Sequence, residues 1–99
     1  MKEQMRYWLS FDLGLRGKYE ELYEWLDKLE AQECGDNVAT FETEKTREQI
    51  NDELSGLLDE KARVYIINRK KGGKFILGKR KPAPWVGYAK VSLESAEER

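Results

Sequence analysis

Histidine is absent from this sequence, and cysteine occurs once, at Cys34. Without an imidazole there is no histidine general base, no Ser-His or Cys-His nucleophile pair and no histidine metal site. A single cysteine excludes an internal disulfide and a cysteine zinc cluster. No run of roughly eighteen apolar residues exists to span a bilayer. The opening Met-Lys-Glu-Gln-Met-Arg has no apolar signal core behind it, so a cytoplasmic protein without membrane attachment is expected. What is left is carboxylate chemistry, or binding without chemistry.

The chain has 99 residues, 39% hydrophobic and 37% charged. That suits one small globule with a thin core, with residues 1–91 as the expected domain and 92–99 as a frayed tail. A domain of this size buries only roughly 60–65% of the surface of its unfolded chain. Apolar positions left outside are therefore candidates for a dimer interface.

The formal net charge of −1 conceals two opposed regions. Residues 1–60 carry seven Lys/Arg and sixteen Asp/Glu, a net −9. Residues 61–93 carry ten Lys/Arg and no acid, a net +10, and residues 94–99 add −2. Such asymmetry suits a basic surface for phosphates, or two surfaces that attract copies of each other. The alternative is that basic strands lie beside acidic helices and are neutralised by them.

Residues 6–13 alternate, with Tyr7, Leu9, Phe11 and Leu13 on one side and Trp8, Ser10 and Asp12 on the other, which predicts a strand. Gly14 and Gly17 mark a loop. Tyr19, Leu22, Tyr23, Leu26 and Leu29 have helical spacing over 18–30, with Glu20, Glu24 and Asp27 opposite and Trp25 half exposed beside the stripe. Gly35-Asp36-Asn37 reads as a turn, Val38–Phe41 as a short strand. Thr46 and Gln49 match a capping box, and Ile50, Leu54, Leu57 and Leu58 continue a helix over about 46–58. Val64–Ile67 reads as a central strand. Gly72-Gly73 suggests a hairpin with Phe75–Leu77 returning, and Trp85–Tyr88 a last extended piece after the prolines. A hairpin between the helices, with Ala31–Cys34 as its first arm, gives a ferredoxin-like α+β two-layer sandwich. Two helices then cover one face of a mainly antiparallel sheet, with an extra C-terminal hairpin.

Asp12, at the end of the first strand before a Gly-rich loop, is the candidate carboxylate. It would hold a hard cation such as magnesium through oxygen, or it hydrogen-bonds the following amides and shapes the loop. No cofactor is otherwise required. Arg69, Lys70, Lys71, Lys74, Lys79, Arg80 and Lys81, with Trp85 and Tyr88 nearby, form the candidate nucleic-acid-binding set: cations grip phosphate, and aromatic faces stack on bases. The same lysines would also protect an edge strand from aggregation. The acidic side of the first helix is a solvated face, or a phosphate mimic that occupies a basic partner. Cys34 has no base near it in sequence and is expected to be inert.

The strand Tyr7–Leu13 ending in Asp and Leu resembles the opening of the ferredoxin-like Cas-two family, small CRISPR adaptation proteins with uncharacterised bacterial relatives. The Tyr19-to-Leu22 pattern of the first helix, the strand ending Phe41 to Thr43, the Thr46-to-Ile50 helix start and the Trp85-to-Tyr88 ending recur in the same order. The resemblance implies a homodimer in which the last hairpin packs on the partner. It also implies either metal-dependent phosphodiester cleavage or a structural role on nucleic acid, and it carries over Asp12 alone as the metal ligand. Three functions follow as expectations. The first is a Cas-two-like dimer that binds RNA or DNA through its basic last third without efficient catalysis. The second is a protein-binding accessory or inhibitor module of a mobile element, acting through the acidic first helix. The third is a metal-dependent ribonuclease or toxin that uses Asp12.

Overall fold

A computed structural model describes residues 4–69, 73 and 75–89. Strand β1 spans Met5–Asp12, helix α1 Tyr19–Lys28, β2 Gln32–Gly35, β3 Val38–Thr43, α2 Arg47–Leu57 and β4 Arg63–Arg69. The four strands form one sheet in the order β2-β3-β1-β4, with every pairing antiparallel. The expected hairpin between the helices is present. Asp36 and Asn37 make its turn, and Asn37 takes the left-handed φ of 58° that such a tight reversal asks for. Both helices pack on one sheet face, so the molecule is a ferredoxin-like two-layer α+β sandwich.

Alternation in β1 decides which face is covered. Tyr7, Leu9 and Phe11 are buried, and they meet Ala39 and Phe41 of β3, Leu22, Trp25 and Leu26 of α1, and Ile50 and Leu54 of α2. Thr46 caps α2 through both arms of a capping box: its hydroxyl accepts from the Gln49 amide at 3.1 Å, and the Gln49 side chain accepts from the Thr46 amide at 2.8 Å. Trp25 is more deeply placed than its spacing suggests. Its ring meets Phe41 edge-on at 5.5 Å, and its indole N–H reaches the Glu53 carboxylate of α2 at 2.8 Å, so the polar end of a buried ring is satisfied.

Lys45 donates to the same Glu53 carboxylate at 2.6 and 2.8 Å. The lysine first, then the indole N–H, hold the Glu53 carboxyl below the usual carboxylate range. A lowered folded value means stability that is present above the unfolded pKa and lost as pH falls through the folded one. Glu53→Gln is therefore expected to be less stable than the parent at neutral pH and to lose less stability on acidification, measured by urea unfolding across the acid range.

Before α1, Gly17 lies where an added Cβ would fall 2.2 Å from the Leu13 Cβ and 2.3 Å from its carbonyl oxygen. The main chain itself would have to move. Gly17→Ala is expected to destabilise by about 2 kcal/mol, read as a lower urea midpoint at unchanged slope.

Three local expectations are corrected. β4 is an edge strand, paired only with β1, and its Val64, Tyr65 and Ile67 are exposed. Its β-branched run looks central because half of it faces the helices and half faces the open side. Residues 75–77 form no returning strand; they are irregular, with Ile76 and Leu77 standing out in solvent. Gly72 and the tail from residue 92 lie outside the described residues. Trp85–Tyr88 is a turn, not extended chain: Val86 N–H bonds Ala83 O, Tyr88 N–H bonds Trp85 O, and Gly87 has φ 92°.

Gly73 and Phe75 lie over the open face of the sheet. Gly73 rests on the Trp8 indole, and an added Cβ there would lie 3.3 Å from Cζ2. At β2 the Arg80 guanidinium donates to the Glu33 carbonyl, and the Lys81 amide donates to the buried Glu33 carboxylate at 2.8 Å. The chain then passes to the helical side, where Trp85 is 1% exposed. Its indole N–H bonds Ala31 O at 2.7 Å, and its ring meets Tyr23 and Phe11. Gly87 and Ala89 both donate to the Asp27 carboxylate of α1 at 3.2 Å, which fastens the end of the segment. Residues 75–89 thus pass around the β2 side of the sheet, and Trp85 joins the core.

Candidate nucleic-acid interface

The same alternation that buries Tyr7, Leu9 and Phe11 sends Arg6, Trp8, Ser10 and Asp12 to the open face. Strand register then fixes their neighbours. Arg6 stands beside Arg69, Trp8 beside Ile67, Ser10 beside Tyr65, and Asp12 beside Arg63. On the other side Arg6 faces Glu42 and Trp8 faces Thr40. Tyr65 is 70% exposed, and Phe75, lying over the sheet, is partly exposed. One face therefore presents aromatic rings with cations among them.

The charges on this face differ in how far they are neutralised. Arg6 is paired: it donates to Glu42 at 2.6 Å and to the Thr40 hydroxyl at 3.1 Å. Among the described residues, the side chains of Arg63 and Arg69 on this face, and of Lys79 and Lys81 where the later segment passes β2, have no carboxylate within 4.0 Å. Arg80 has a carbonyl and an aromatic ring as partners, its guanidinium lying 5.3 Å from the Phe75 centroid, and no acid. The described cations of the last third are thus not tied to the acidic helices.

The structure places the nine candidate binding residues unequally. Arg69, Lys79, Arg80 and Lys81 are exposed. Lys70, Lys71 and Lys74 lie outside the described residues. Tyr88 is 37% exposed and sits edge-on to Tyr23 at 5.1 Å, on the helical side. Trp85 is corrected: a ring buried to 1% has no free face for a base, and it is a core residue. Trp8, Tyr65 and Phe75 supply the aromatic surface instead. Their signal was available for Trp8 and Tyr65, which occupy the polar phase of strands whose other phase is the core.

Asp12 is exposed, and its Oδ1 accepts the Gly14 amide at 3.1 Å, closing the turn after β1. Among the described residues no group of three or more His, Cys, Asp or Glu side chains is placed to hold a metal ion. The geometry around Asp12 is that of a loop-shaping carboxylate with Arg63 opposite it. On α1, Lys28 pairs with Glu24 at 3.0 Å and Asp27 is taken by two backbone amides, so part of the acidic face is used internally. No helix of the described residues is long and apolar enough to cross a membrane.

These features define a ferredoxin-like sandwich whose open sheet face combines exposed aromatic rings with unpaired cations. Against protein-family models, curated proteins and solved structures alike, the chain has no match.

Proposed function

We propose that this protein binds single-stranded nucleic acid on the open face of its sheet and does so without cleaving it. The observation that carries the reading is the juxtaposition of Trp8, Tyr65 and Phe75 with cations that no described carboxylate neutralises. Base stacking on aromatic faces tolerates any sequence, and cations that follow the backbone supply affinity. The Cas-two resemblance points the same way. Metal-dependent cleavage at Asp12, with magnesium, lacks the supporting carboxylates such a centre uses among the described residues. The test is a titration of labelled single-stranded RNA and duplex DNA at two salt concentrations, with and without magnesium. Salt-sensitive binding of the single strand with no cleavage supports the reading; no binding at low salt overturns it.

We infer further that the protein works as a homodimer. Between α2 and β4 runs a groove with an apolar floor of Ile50, Leu54, Ala62, Val64 and Ile66 and a rim of Glu48, Asp59, Glu60 and Arg47, net acidic. Ile76 and Leu77, 90% and 88% exposed and followed by Lys79, Arg80 and Lys81, have the complementary character. A second copy supplying that segment would cover both apolar surfaces. Ile76→Asp with Leu77→Asp is expected to halve the mass seen by sedimentation while leaving the melting transition cooperative. A parent chain that sediments as a monomer at high concentration would overturn the dimer.

A further inference from the structure

A cleft of about 290 Å³ lies where the later segment passes the β2 side of the open face. Trp8, against part of which Gly73 rests, and Phe75, over which the Arg80 guanidinium lies, give it apolar walls, Gln32 an amide, and Arg6 and Arg80 its cationic end; Cys34 and Thr40 line the rest. The two arginines are not equivalent. Arg6 is neutralised by Glu42 and held by Thr40, whereas Arg80 carries a charge that no carboxylate answers. The volume is at the lower end for small-molecule sites, roughly 300 Å³, which suits one nucleotide rather than two.

Each simpler ligand would leave part of this lining unused. An inorganic anion would need Arg80 but neither ring. A hydrocarbon would use the rings but leave the guanidinium and the amide facing it. A planar heterocycle with an attached phosphate uses all three, since rings stack on rings, a guanidinium matches a phosphate, and an amide both donates to and accepts from a base edge. We propose that the cleft is a slot for one nucleotide of the bound strand, its base against Trp8 and Phe75, its phosphate on Arg80 and its base edge at Gln32. This rests on the reading of the open face as a nucleic-acid surface and names where one base leaves the general platform for a shaped site.

Cys34 makes the slot observable, because it is the only thiol in the chain and lines the cleft. Burial raises its pKa despite the nearby arginines, so alkylation is best followed at mildly alkaline pH. The experiment measures the rate of N-ethylmaleimide addition to the full chain by intact mass, alone and with adenosine monophosphate, uridine monophosphate, ribose 5-phosphate or inorganic phosphate. Either nucleotide at saturation is expected to slow the reaction at least fivefold, and the two phosphates without a base less than twofold. Arg80→Gln and Gln32→Leu, each checked for a parent-like melting curve, should lose most of the protection. Phosphate protecting as well as the nucleotides would overturn the proposal in favour of a plain anion site. An oligonucleotide that binds by anisotropy but leaves the Cys34 rate unchanged would overturn the slot and spare the face. An oligonucleotide that fails to bind would defeat the face, and protection by the mononucleotides would then decide the slot by itself.

Discussion

Trp85→Ala is expected to cost about 3–5 kcal/mol, the range for deleting a buried tryptophan side chain, out of a total that for small domains is roughly 5–15 kcal/mol. The ring is 1% exposed, touches Phe11 and Tyr23, and satisfies Ala31 O. Its removal leaves a cavity, an unanswered carbonyl, and no anchor for residues that otherwise close the β2 side. Urea unfolding followed by far-UV circular dichroism measures this. A loss below about 1 kcal/mol would mean that the ring does not occupy the core. The contrast with Tyr65→Ala is informative: that ring is 70% exposed, so its loss should leave stability within about 0.5 kcal/mol and weaken binding of a single strand. A stacking role predicted for Trp85 and a structural one assigned to it here make opposite forecasts for the same pair of variants.

Charge reversal at Arg69, Lys79 and Lys81 together should lower affinity for single-stranded RNA by roughly two orders of magnitude at low salt. If each of the three meets a phosphate, the slope of log affinity against log salt should fall by about 2, since a single strand releases about 0.7 counterion per contact. Stability should hardly change, because none of the three side chains has a carboxylate partner among the described residues, and the Lys81 amide keeps its bond to Glu33 in the variant. An unaltered slope with parent affinity would show that binding, if any, uses another surface. Reversal at Arg6 is a poor substitute: its pairing with Glu42 would confound a lost phosphate contact with a broken ion pair.

The two-layer fold was legible because its signals are local. Alternation in Tyr7–Leu13, the Leu22–Leu26 stripe and the Thr46–Gln49 capping box each fix one element without reference to the rest of the chain. The parts that were not legible depend on contacts distant in sequence. Nothing near Val64–Ile67 says that the strand has one neighbour rather than two. Nothing near Trp85 says that Ala31, more than fifty residues earlier, offers it a carbonyl. An aromatic residue after two prolines in a basic segment has the composition of a binding motif, and only the wrap around β2 turns it into core. For the candidate interface the cations were visible as a run without acids. Trp85 was assigned wrongly, because its burial is set by contacts with Phe11, Tyr23 and Ala31 and not by its neighbours in sequence.

The wrapped segment also limits where the sheet could be extended. By occupying the outer side of β2 with Arg80, Lys81 and the Glu33 contacts, it leaves β4 with the open margin of the sheet among the described residues. Pairing along that margin would leave each copy no second sheet edge to offer. Lateral growth into ribbons needs two such margins, and Arg80 and Lys81 cover one of them.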